Sequence, residues 1–152
     1  MKEIDKVWLA AIIDGEGCLS VSHFQKTQRS GYLDKNNTCT SEAFVTSLSI
    51  SNNCKELIDE VQRITKTKTK VTIFNKKGRS TNYRWKVSAN ADILTILNEI
   101  EPYLIAKHQQ AIVMKEFIAL RMEGKGRKTA EQTEKMIELA DELSSLNHFA
   151  VN

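Results

Sequence analysis

From Val7 to Ile13 every residue is apolar, and the run stops at once in Asp14-Gly15-Glu16-Gly17. A helix that is apolar on every side has to be buried. The adjacent Ala10 and Ala11 let another backbone come close, and Gly15 and Gly17 offer the freedom to stop the helix and turn, carrying Asp14 and Glu16 out of an apolar layer. Cys18 to Phe24 then alternates, with Leu19, Val21 and His23 against Ser20, Ser22 and Phe24. That period predicts a strand with one polar face. Gln25 to Ser41, rich in Lys, Thr, Ser and Asn, has little to bury and reads as a long connection. Phe44 to Ile50 alternates again, setting Phe44, Thr46, Leu48 and Ile50 against Val45, Ser47 and Ser49, and predicts a second strand, antiparallel to the first. Leu57, Ile58, Val61 and Ile64 mark a short amphipathic helix over Cys54 to Ile64.

Val71 and Ile73 alternate with Lys70 and Thr72, and beyond a turn at Asn75 to Ser80 the residues Tyr83, Trp85 and Val87 alternate with Asn82, Arg84, Lys86 and Ser88. This is a β-hairpin with an apolar side for helices and a polar side carrying cations. The rest is helical: Ala91 to Ile100, a break at Pro102, then Tyr103 to about Met122 with Leu104, Ile105, Ile112, Phe117 and Leu120 able to reach the core, closed by Gly124-Lys125-Gly126. Thr129 with Gln132 fits a capping box for a last helix over about 129–147, whose stripe is Met136, Ile137, Leu139, Leu143 and Leu146. The elements predict an α+β fold in which residues 1–152 form a single domain.

Composition adds class and setting. Apolar residues make up 41% and charged residues 27%, with one proline, as in ordinary folded chains. Cys18, Cys39 and Cys54 are an odd set without CxxC spacing, which points to reduced thiols and an intracellular protein, in the cytoplasm or nucleoid or inside an organelle. No stretch approaches the roughly 18 apolar residues of a membrane span, so no membrane partner is expected. The net charge is only +3, but from Arg63 to Ala91 there are nine Lys or Arg and no Asp or Glu, while Glu131, Glu134, Glu138, Asp141 and Glu142 face Lys135 alone. One positive region set apart from a negative one suits a polyanion such as nucleic acid. A solvated basic hairpin would have the same composition.

A two-stranded ribbon fits the DNA major groove, where Arg and Lys read guanine and Asn reads adenine. A carboxylate beside such a surface repels phosphate unless a divalent cation stands between them. Mg²⁺ takes one or two carboxylates together with substrate phosphates and water, so Glu16 is the candidate ligand, with the Gly15 carbonyl as a second oxygen. By spacing alone, Asp14 and Glu16 are equally ordinary residues of a helix end. His23, His108 and His148 lack metal-ligand spacing, there is no GxxxxGK[ST] loop, and Lys107 by itself is an ordinary lysine.

Leu9 to Gly17, LAAIIDGEG, resembles the LAGLIDADG motif of a family of homing endonucleases, with Ala11 for the first Gly, Ile12 for Leu, Gly15 for the second Ala and Glu16 for the second Asp. The element order resembles that family's αββαββα fold, here with an additional C-terminal helix. Glu101 to Ala111, EPYLIAKHQQA, resembles the Pro-aromatic-Leu, Lys, Gln-Ala segment of single-motif members. The resemblance implies a homodimer whose motif helices pack through Leu9, Ala10, Ala11, Ile13 and Asp14. It implies Glu16 as ligand to Mg²⁺ or Mn²⁺ beside the Gly15 carbonyl, and Lys107 near the scissile phosphate. A water-ordering residue is implied at Asn52, with Ser51 as its rival. Two antiparallel sheets would form a saddle on double-stranded DNA at a long, nearly palindromic site cut to cohesive ends, the contacts coming from Ser20, Ser22, Lys26, Ser47, Ser49, Lys70, Thr72, Asn82, Arg84 and Lys86. The competing functions are an RNA maturase acting on a host intron and a DNA-binding protein without nuclease activity.

Overall fold

The apolar run near the N-terminus forms α1 (Glu3–Glu16), which buries Leu9, Ala10 and Ile13 completely. In a computed structural model of the chain, residues 1–29, 38–75, 77–124 and 128–149 are described, with the backbone alone for 26–29, 38–41 and 149. The chain continues through β1 (Gly17–Arg29), β2 (Thr38–Asn52), α2 (Lys55–Thr65), β3 (Thr72–Phe74), β4 (Asn82–Val87), α3 (Asn90–Ile100), a 3₁₀ turn (Glu101–Tyr103), α4 (His108–Met122) and α5 (Ala130–Phe149). The α+β order αββαββα is as expected, with two helices after it. The four strands make one antiparallel sheet in the order β1-β2-β4-β3. Leu19, Leu48, Ile50, Trp85 and Val87 are fully buried on the face that the helices cover. Among the described residues no helix is long and apolar enough to cross a membrane.

Four local expectations need correction. Gln25–Arg29 and Thr38–Ser41 are paired strand and not connection, with the ladder running from Gly17↔Ile50 to Arg29↔Thr38. Ladder hydrogen bonds need no apolar side chains, and β-branched Thr27, Thr38 and Thr40 suit a strand. Residues 30–37, the remainder of that expected connection, lie outside the described residues, as do Lys125 and Gly126. Second, α1 runs on through Asp14 and Gly15 to Glu16, so both acids belong to its last turn. Third, α4 begins at His108 and not Tyr103, because residues 104–107 form a separate turn that leaves Ile105 89% exposed. Fourth, Ile112 and Ile73 are exposed as well, since none of the described elements covers them. The capping box does form: Thr129 N–H donates to Gln132 Oε1 and Gln132 N–H to Thr129 Oγ1, each at 3.1 Å.

Gly17 is where helix meets sheet, and its backbone is ordinary, with φ −78° and ψ 154°. What requires glycine is space. A Cβ there would lie 2.6 Å from the Ile13 carbonyl oxygen and 2.8 Å from Ile13 Cα. Because those atoms are backbone of a buried helix, Gly17→Ala is expected to destabilise the fold by about 2 kcal/mol, within the range for overpacking. Urea unfolding checks this, and an unchanged midpoint would contradict the close approach.

Candidate active site and nucleic-acid interface

The sheet's other face is open. Alternation places Ser20, Ser22 and Phe24 of β1 beside Val45, Ser47, Ser49 and Ser51 of β2, then Asn82, Arg84 and Lys86 of β4, and Thr72 and Phe74 of β3. Register pairs Ser49 with Lys86, Ser51 with Arg84 and Arg84 with Thr72. Ser20 and Ser47 share a hydrogen bond of 2.8 Å, which uses the hydroxyls on each other and leaves Ser47 nearly buried. Arg84 is held on two sides: its Nε donates to Ser51 Oγ at 2.9 Å, and its guanidinium lies 4.8 Å from the centre of the Phe74 ring. Phe74 and Ser51 were not expected as partners of Arg84, although the alternation through Thr72 and Ser49 sets both on this face.

The cations expected on this surface differ in where the chain places them. Lys70 is exposed but precedes β3, and Lys26 lies in β1 with its side chain outside the described residues. Arg63 is committed elsewhere, donating to Glu60 at 2.6 Å and Asp5 at 3.1 Å, and these carboxylates hold its protonation above the ordinary arginine value. Among the described side chains, the cations on the open face are Arg84 and Lys86.

At the edge of this face stands the end of α1. The Glu16 carboxylate is exposed and makes no hydrogen bond or ion pair among the described residues. Gly17 pairs with Ile50, so the residue after Ile50, Ser51, comes alongside this helix end on the open face. Asn52 turns to the other side. It pairs with Tyr83, and its Oδ1 accepts the Cys54 N–H at 2.9 Å, an Asx turn leading into α2. Of the two residues expected to compete for the water-ordering position, Ser51 thus lies on the open face and Asn52 is tied into the turn that leads to α2.

Asp14 meets residues 91 to 93 positions later: its carboxylate accepts the N–H of Ile105 at 2.7 Å and of Lys107 at 2.9 Å. Lys107 Nζ in turn donates to the Asp14 carbonyl at 2.5 Å. This brings Lys107 to the helix end that carries Glu16. Of the residues expected at a dimer seam, Leu9, Ala10, Ala11, Ile13 and Asp14, only Ala11 is exposed and Asp14 half-buried. Leu9, Ala10 and Ile13 have no exposed surface, and Asp14 is engaged within the chain. The exposed side of α1 is Ile4, 74% exposed, Val7, 47% exposed, and Ala11 and Gly15. Nothing lies within 4 Å of where a Gly15 Cβ would stand.

No group of three or more His, Cys, Asp or Glu converges on a metal-sized site among the described residues. The one exposed carboxylate at this helix end, Glu16, fits a hard cation shared with a phosphate backbone, which supplies the missing oxygens. The donors fit Mg²⁺ or Mn²⁺ on that condition.

No family model matches the chain, and no curated protein is significantly similar to it. Solved structures are. The archaeal intron-encoded homing endonuclease I-Vdi141I, complexed with DNA, superposes with a TM-score of 0.72 at 18% identity over 96% of this chain and 86% of that one. The homing endonuclease I-CvuI, bound to the I-CreI target in the presence of Mg with the DNA uncleaved, gives 0.70 at 21% identity over 95% and 82%. The fold is that of the LAGLIDADG homing endonucleases. A third match, the LAGLIDADG homing endonuclease I-LtrWI bound to target DNA, gives 0.68 at 18% identity over 90% of this chain but 43% of that one. On this fold, α1 carries the LAAIIDGEG stretch that resembles the family motif.

Proposed function

We propose that the chain is a site-specific DNA endonuclease that works as a homodimer and hydrolyses one phosphodiester in each strand, leaving cohesive ends. One observation carries this reading: the helix end that carries Glu16, whose carboxylate is unpaired among the described residues, also holds the anchored Lys107, and it adjoins a sheet whose open face bears Arg84 and Lys86. Binding a polyanion gains nothing from an acid there, whereas hydrolysis does. The fold shared with DNA-bound homing endonucleases supports the same reading.

Each residue has a part in it. Glu16, with the Gly15 carbonyl beside it, would hold Mg²⁺ or Mn²⁺ against the scissile phosphate. The bound cation supplies a reactive water near neutral pH and offsets charge on the phosphate oxygens. Lys107 places a positive charge where negative charge grows during attack. Ser51, still able to donate its hydroxyl proton, orients the attacking water. Arg84 and Lys86 contact bases, with Thr72, Asn82, Ser22 and Ser49 completing the polar surface. With one motif per chain, two copies of α1 would meet along Ile4, Val7, Ala11 and Gly15 on a two-fold axis, bringing both Glu16 side chains together.

Purified protein with Mg²⁺ is expected to linearise plasmids carrying its site, and EDTA to leave them intact. Retention of DNA without a cut under Mg²⁺ or Mn²⁺ would make it a DNA-binding protein, and preference for host intron RNA a maturase.

A further inference from the structure

We infer that Asp14 is the positioning residue for Lys107: one side chain fixes the turn from which the lysine projects, and the same residue's carbonyl receives the ammonium. The inference rests on the nuclease reading for its consequence, but the lock itself is a property of the free chain.

Three hydrogen bonds join these two residues and Ile105. The carboxylate takes two backbone N–H groups on one turn, Ile105 at 2.7 Å and Lys107 at 2.9 Å. Two such bonds from a single carboxylate set the backbone of residues 105–107 and hence the direction of the lysine's Cα–Cβ bond. On the N-terminal side of this turn, Leu104 is buried in the core. Ile105 itself is 89% exposed and makes no such anchor. Lys107 Nζ then donates to the Asp14 carbonyl at 2.5 Å, so the long side chain is tied at its root and at its tip. A residue that merely stabilised the helix end would need only the first two bonds. The third spends a flexible ammonium on a carbonyl two positions before Glu16. Asp14 itself is anchored next to Ile13, which is fully buried, so the turn, the lysine and Glu16 share one rigid support.

The test has two arms. In the free protein, competitive acetylation compares Lys107 with exposed Lys86. Asp14→Ala should raise the Lys107 rate several-fold relative to Lys86. The isosteric Asp14→Asn, which keeps one acceptor oxygen, should raise it less and serves if the alanine variant does not fold. An unchanged ratio in the folded variant would overturn the lock whether or not the protein cuts DNA. The second arm is single-turnover cleavage of the selected cognate duplex. Asp14→Asn should slow cutting at least tenfold while affinity in Ca²⁺ stays within twofold. In a Lys107→Met background it should add less than a twofold effect. A full further loss in that background would show that Asp14 acts independently of the lysine and would overturn the positioning role. Wild-type protein that cuts no DNA, together with faster acetylation in the variants, would remove the nuclease reading and leave the lock standing.

Discussion

Glu16→Gln is expected to slow strand cleavage by roughly a thousandfold or more, the scale for losing a principal source of transition-state charge stabilisation, and to leave folding and DNA binding in place. The substitution keeps shape and removes charge. Because Glu16 is exposed and has no hydrogen-bond or ion-pair partner among the described residues, nothing in the fold is lost with the carboxylate. The melting temperature should therefore be unchanged. Affinity for the cognate duplex in EDTA should hold or rise, because a negative charge beside phosphate is removed. Single-turnover cleavage in Mg²⁺ beside a gel-shift titration separates the two effects. Cutting at the wild-type rate would take Glu16 out of the site.

The second large effect concerns assembly. Val7→Glu should convert a dimer to a folded monomer and abolish double-strand cleavage. Val7 is 47% exposed, so the chain alone tolerates a carboxylate there. In a two-fold interface, however, every substitution occurs twice and faces its own symmetry mate. Leu9→Glu offers the contrast. Leu9 has no exposed surface, and an unpaired buried charge costs roughly 3–5 kcal/mol, so this variant should unfold instead of dissociating. Sedimentation and thermal melts distinguish the outcomes. A Val7→Glu protein that stays dimeric would move the seam off the exposed side of α1, and a wild type that sediments as a monomer with and without DNA would remove the dimer.

The contrast between Val7 and Leu9 shows where the sequence was legible. Alternation around Leu19, Leu48, Trp85 and Val87 sorted the sheet into its two faces correctly, because a strand has only two sides and polar residues marked one of them. The helix α1 carried no such mark. Every residue from Val7 to Ile13 is apolar, so its period could not tell the side facing the chain's own core from the side left bare. The paired ends of β1 and β2 were missed because polar strands signal through backbone pairing alone. The turn at 104–107 was invisible for a different reason, since the carboxylate that shapes it comes from Asp14, more than 90 positions earlier. Glu16 was a candidate on charge alone, as a carboxylate beside a basic surface, whereas Lys107 stood out only through the resemblance. That the lysine's tip reaches the helix end carrying Glu16 is a tertiary fact. The placing of Ser51 on the open face and of Asn52 in the turn into α2 follows from the sheet register and from the hydrogen bond that ties Asn52 to Cys54.

The measurement that bears most directly on the endonuclease reading is a cleavage selection on a randomised double-stranded DNA library in Mg²⁺, run side by side with wild-type protein and Glu16→Gln. Sequenced ends from the wild type should converge on one long, nearly palindromic site with a fixed stagger between the two strand breaks, and the variant should return none of them. No enrichment by the wild type with Mg²⁺ or Mn²⁺, or the same ends from both proteins, would contradict it.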